Sequence, residues 1–149
     1  MATTVTNANL TVTLTDTVTL NGQAYGNTNT LTIANIDEVY NRVVEVPISA
    51  FTPIVQLGST WQGSLTAANV QYIRVTNLDD TNHVNLKIHN GDTMVLKLDA
   101  GKSFIMGGAS FDCDNADIAQ GAVAYNTAFV MSAEATVAAC DVEVFVASI

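Results

Sequence analysis

From residue 8 to residue 20 the chain alternates with a period of two. Ala8, Leu10, Val12, Leu14, Val18 and Leu20 take even positions, and Thr11, Thr13, Thr15, Thr17 and Thr19 take the odd ones. Successive side chains of a strand point to opposite faces, so this spacing makes one apolar face and one hydroxyl face. A helix would scatter both sets around its circumference. The preference extends along the chain: Val, Ile and Thr together supply 46 of the 149 residues. These β-branched side chains suit a pleated sheet and lose χ1 freedom in a helix. An all-α fold is excluded.

The alternation breaks at Asp16, where a charge falls in the apolar phase. That marks either a bend or an edge strand guarded by an inward charge. Asn21-Gly22 then gives a turn signal of the positive-φ kind. Short strands are predicted over residues 30–33, 43–48 (with Pro47 at its end), 57–65 (with the single Trp61) and 70–76. Residues 77–82 form a polar turn. Val84, Leu86 and Ile88 alternate with Asn85, Lys87 and His89, and Asn90-Gly91 reads as a hairpin leading to Met94, Leu96 and Leu98. Ala100-Gly101 is a further turn before a strand over residues 103–106, and closing strands are predicted over 129–131 and 137–149. Residues 116–125 are either one helical turn or a loop.

Many short strands with turns between them predict an all-β chain: a single antiparallel β-sandwich, jelly-roll-like, with little helix. The expected organisation is an extended N-terminal strand or arm over residues 1–20 and a sandwich over 21–149. At this length a domain typically buries roughly 68–70% of its unfolded surface, enough for a core without metal or disulfide staples. Whether the N-terminal strand pairs within its own domain or adds to a neighbouring subunit's sheet is open at this point.

Charge excludes several functions. The net charge is −9, and the basic side chains are Arg42, Arg74, Lys87, Lys97 and Lys102, spread along the chain. Gripping phosphates takes clustered Lys and Arg, so neither nucleic acid nor an anionic membrane surface is an expected partner. No apolar run reaches the ~18 residues of a spanning helix, and the N-terminal residues lack the basic start and apolar stretch of a signal peptide. Synthesis in a host cytoplasm is expected. In that reducing compartment Cys113 and Cys140 are expected to be separate thiols rather than a bridge.

Three motifs fail on inspection. Gly101-Lys-Ser103 resembles the end of a phosphate-binding loop, but that loop needs a glycine where Leu96 stands, and a helix where Phe104-Ile-Met106 follows. Asp112-Cys-Asp-Asn-Ala-Asp117 resembles a calcium loop, yet Ala116, Asp117 and Val123 occupy positions that require an oxygen ligand, a glycine and a glutamate. It reads as a solvated acidic turn. His83 and His89 lie about 20 Å apart along one strand, too far to share an ion. With no nucleophile–base pairing and no metal-ligand spacing, no catalytic residue, no metal site and no cofactor is expected.

Three strings in the second half, Tyr72-Ile-Arg-Val-Thr-Asn-Leu-Asp79, Leu98-Asp-Ala-Gly-Lys-Ser-Phe-Ile105 and Val142-Glu-Val-Phe-Val-Ala147, resemble small virion structural proteins of tailed bacteriophages, of the marine-phage type. The resemblance covers roughly residues 70–149. It implies a non-enzymatic β-sandwich subunit at the capsid surface that decorates or cements the head by binding the major capsid protein, as a homo-oligomer, a trimer by expectation. The alternative is a receptor- or glycan-binding module of a tail or head fibre. That would need an aromatic platform, for which Trp61, Tyr25 and Tyr40 are the candidates.

Overall fold

The structure is a computed structural model, and it describes residues 5–58, 65–90, 92–108 and 129–149. The chain divides into two compact units, Met1–Asp37 and Glu38–Ile149. The boundary thus falls after residue 37 rather than after residue 20, and the cause is strand register.

Four strands make the first unit: β1 (Ala8–Thr15), β2 (Val18–Leu20), β3 (Gln23–Tyr25) and β4 (Thr28–Ile36). β2 pairs with β3, Leu20 opposite Gln23 and Val18 opposite Tyr25. β1 pairs with β4 in the same register, Thr15 opposite Thr28 through to Leu10 opposite Ile33. The whole segment is therefore one β-hairpin folded about Asn21-Gly22, whose φ values of 51° and 79° are those of the tight two-residue turn whose twist matches paired strands. Residues 21–36 are the return limb of the N-terminal strand. Asp16 and Gly26 interrupt the ladder between the β1–β4 and β2–β3 pairs. Gly26 adopts a φ of 151°, and a Cβ there would lie 2.0 Å from the Asp16 carbonyl oxygen. The Asp16 N–H still donates across the gap to Asn27 O at 2.9 Å.

The second unit is an antiparallel sandwich of β5 (Glu38–Val46), β6 (Thr52–Gln56), β7 (Val70–Asn77), β8 (Val84–Asn90), β9 (Asp92–Leu98), β10 (Ser103–Gly107), β11 (Val130–Ala135) and β12 (Cys140–Ser148). One sheet has the order β10-β7-β12-β5 and the other β6-β11-β8-β9. The chain pairs as a wrapped hairpin: β5 with β12, β6 with β11, β7 with β10 and β8 with β9. Eight strands so connected in two sheets are a jelly roll. Within the described residues the one helical element is a 3₁₀ turn, Ala67–Asn69.

The alternation read from the sequence decides which side chains enter the core. Val84, Leu86 and Ile88 on β8 are fully buried, while Asn85, Lys87 and His89 between them stay partly exposed. Ile73 and Val75 of β7 meet Val142, Val144 and Val146 of β12 in the same core, with Met131, Ala133 and Ala135 of β11 from the opposite sheet. At about 25 cal/mol per Å² of apolar area removed from water, each of these aliphatic side chains contributes ~1.5–3 kcal/mol of transfer free energy. β5 stops at Val46 because Pro47 follows and has no N–H to continue the ladder. β12 begins at Cys140, later than the sequence suggests, since residues 136–139 make the reversal out of β11.

Trp61, the predicted strand around it, Gly91, Cys113, the acidic turn 112–117 and residues 116–125 lie outside the described residues.

Candidate functional site

Two surfaces carry features that packing alone does not use. The first is the outer face of the sheet β10-β7-β12-β5. Alternation that sends Ile73 and Val75 inward sends Tyr72 and Arg74 outward, and the same holds for Glu143 and Phe145 of β12. Register sets Arg74 directly opposite Phe145. The guanidinium carbon lies 5.6 Å from the Phe145 ring centroid, and Arg74 Nη2 donates to Glu143 Oε2 at 2.7 Å. Tyr72 completes the row edge-on to Phe145, with centroids 6.0 Å apart and planes at 72°. Burial raises the Tyr72 hydroxyl above its ordinary pKa, and the nearby Arg74 charge offsets part of that rise. On the edge strand β5, Val39 and Val43 remain exposed at 55% and 56%. The face carries one internally matched ion pair, Arg74–Glu143, and two further carboxylates, Glu45 and Asp141, opposite one another across β5 and β12.

The second surface is the hairpin of the first unit. Its register places Leu10, Val12, Leu14, Val18, Leu20, Tyr25, Leu31 and Ile33 on one face. The opposite face is a ladder of threonines: Thr11 opposite Thr32, Thr13 opposite Thr30, and Thr15 opposite Thr28. Thr15 Oγ1 and Thr28 Oγ1 share a hydrogen bond of 3.2 Å. On the apolar face Leu14, Val18, Leu20, Tyr25 and Leu31 are all exposed, Leu31 least at 45% and Leu20 most at 60%.

At one end of the sandwich a single side chain ties the β7–β8 loop to the end of β9. Asn77 is fully buried; its Nδ2 donates to Asn82 O at 2.8 Å and to Leu98 O at 3.2 Å, and its Oδ1 accepts the Asp79 N–H at 3.1 Å. Asp79 Oδ1 in turn accepts the Thr81 N–H at 2.8 Å and the Asn82 N–H, which holds its carboxyl below the usual value. Beside this loop Cys140 is a buried free thiol, its Sγ donating to Ala138 O at 3.3 Å. Burial first, then the Asp79 and Asp141 charges, push it up and keep it protonated.

The residues singled out from sequence are dispersed. Gly101-Lys102-Ser103 forms the β9–β10 turn, where the Gly101 N–H is taken by Asn77 O and the Lys102 N–H by Asp99 O, both at 3.1 Å. Those donors are the ones a phosphate would need. His83 bonds Thr136 Oγ1 at 3.2 Å and His89 bonds Thr93 Oγ1 at 3.0 Å, at opposite ends of β8. Among the described residues no three His, Cys, Asp or Glu side chains stand close enough to hold a metal ion, and no helix is long and apolar enough to cross a membrane. Tyr40 packs partly buried against the sandwich core, while Tyr25 lies on the hairpin.

Sequence reasoning passed over Asn77, and of the limb 28–36 it gave a strand over residues 30–33 but not its pairing with β1. A signal for the limb was present: Thr28, Thr30 and Thr32 mirror Thr15, Thr13 and Thr11 about Asn21-Gly22. Asn77 had no local signal, since its partners are up to 21 residues away. A scan against protein-family models, a search of curated proteins and a search of solved structures each gave no match.

Proposed function

We propose that the chain is a non-enzymatic structural subunit of a phage virion, a decoration or cement protein that binds the major capsid protein lattice as a homo-oligomer, with a trimer as the expected form. The observation that carries the reading is the placement of the three phage-like strings. They fall on β7, on the β9–β10 turn with β10, and on β12, which are neighbours in one sheet. The likeness therefore concentrates in a single structural element rather than in scattered strand-like phrases. Jelly rolls are used for capsid domains because two closed sheets present flat, rigid outer faces. Here that face joins the Tyr72–Phe145–Arg74 row and exposed Val39 and Val43, a mixed apolar and polar surface of the kind protein contacts use.

Mass spectrometry of purified particles with copy-number determination tests the proposal. Hundreds of copies per particle, on heads separated from tails, is the expected result. A few copies on tails, together with glycan-array binding, would replace it with the receptor-binding reading.

A further inference from the structure

We infer that the N-terminal hairpin is the self-association element of this protein, its Leu/Val face packing against the same face of a second copy of the chain.

A two-stranded hairpin is marginally stable alone in water, and three or more strands or a packed face are needed for independent stability. This one extends in a single register from Leu10–Ile33 to Leu20–Gln23. Its two faces are chemically opposite. The threonine ladder hydrogen-bonds within itself and faces water at no cost. The other face has five large apolar side chains at 45–60% exposure.

Charge identifies the occupant. The chain carries fourteen acidic and five basic side chains, yet within residues 1–36 the sole charged one is Asp16. Two copies of a protein with net charge −9 repel one another over most of their surface; the hairpin, with one charge per copy, is where they can meet with the fewest like charges juxtaposed. The other exposed apolar row, Val39 and Val43, is flanked on its own strand and on β12 by Glu38, Glu45, Asp141 and Glu143 and lacks this property. A basic partner would find no anionic complement on the hairpin.

Size is sufficient. Stacked at the ~10 Å spacing of packed sheets, two such faces would remove on the order of 600 Å² per copy, about 1,200 Å² in all, the lower bound for specific stable interfaces. The geometry is self-complementary, as closed symmetric assembly requires. The apolar side chains of the rows Leu10–Leu20 and Tyr25–Ile33 meet their own kind, with Asp16 the one charge among them, and the threonine faces remain outward.

The inference rests on the oligomeric part of the function proposed above and not on the capsid part. Sedimentation equilibrium of the full-length protein tests it, with Leu14→Glu/Leu31→Glu against Thr11→Glu/Thr30→Glu. The second pair adds the same charges at the same diagonal spacing to the threonine face, and circular dichroism monitors folding of both. The wild type and the threonine-face variant are expected at a multiple of 15.7 kDa. The leucine-face variant should be monomeric with an unchanged spectrum, its dissociation constant raised at least roughly 100-fold by the buried like charges. A monomeric wild type at high concentration overturns the inference, and so does a leucine-face variant that stays oligomeric. Should the leucine-face variant misfold, Leu14→Ser/Leu31→Ser replaces it under the same criteria. Particle binding is scored separately: an oligomer that ignores capsids removes the virion reading and leaves this one, and a monomer that binds capsids does the reverse.

Discussion

Asn77 and Gly101 are joined across the end of the sandwich: the Gly101 N–H donates to the Asn77 carbonyl at 3.1 Å. The Asn77 N–H returns a bond to Lys102 O at 3.0 Å, so the β9–β10 turn is clamped to the end of β7 from both sides. The Asn77 side chain fastens the adjoining loop with its own three bonds.

Asn77→Ala should therefore be among the most damaging polar substitutions in the protein. It leaves the buried carbonyl of Leu98 and the half-buried carbonyl of Asn82 and N–H of Asp79 without their partner, at about 2–4 kcal/mol in total. Urea unfolding checks this, with Asn41→Ala on the exposed face of β5 as the comparison, expected within about 0.5 kcal/mol of wild type. Equal effects at both positions would contradict the clamp.

The Asp79 carboxylate gives the loop a pH dependence. Backbone N–H groups of Asn82 and Thr81 hold its folded pKa below the ordinary 3.8. A depressed folded pKa gives stability that is present above 3.8 and lost as the pH falls through the folded value. The Tm difference between wild type and Asp79→Ala should be constant near neutrality and shrink below pH 3.8. A difference that persists unchanged at pH 2.5 would show that the charge plays no part.

Arg74 and Glu143 should couple weakly. Their side chains are 36% and 25% exposed, so solvent screens the pair, and a double-mutant cycle should give about 0.5–1 kcal/mol that falls as salt rises. Arg74→Lys should recover little of it, because a lysine cannot both lie flat on Phe145 and reach Glu143. Full recovery by lysine would make the contact a simple point-charge pair.

Gly26→Ala should loosen the hairpin at its middle. The added Cβ has no room beside the Asp16 carbonyl, so the Asp16 N–H, which bonds Asn27 O, should lose hydrogen-exchange protection. Amides of β8 in the sandwich should keep theirs. Loss of protection throughout β8 would show that the two units unfold as one.

What could be read in advance was whatever depends on neighbours in sequence. The period of two sorted β8 into Val84, Leu86 and Ile88 inward and Lys87 outward without error, because a strand's facing is a local property. The Asn21-Gly22 turn was equally plain. The strand at 30–33 was legible locally, but its pairing with β1 was legible only as a mirror image about that turn, and a mirror is invisible to a reading that moves forward one segment at a time. The order β10-β7-β12-β5 was not legible at all: Val, Ile and Thr are equally at home on every strand, and nothing in them selects β12 over β10 as the partner of β5. The Arg74–Phe145–Glu143 row shares that fate, since it exists only once β7 and β12 are adjacent.

The pairing of β5 with β12 also sets a timetable. A ribosome making this chain completes the hairpin limbs within the first 36 residues, and such a hairpin closes in about 1–10 µs. β12 follows the other described strands in the chain and lies between β7 and β5, so those two strands wait for it until residue 148 has emerged, roughly 6–20 s after residue 36 at 5–20 residues per second. For all of that interval the hairpin is finished while the body is not. Neighbouring chains on one messenger are then already able to find each other by their leucine faces, and the order of events would be association first and sandwich closure second.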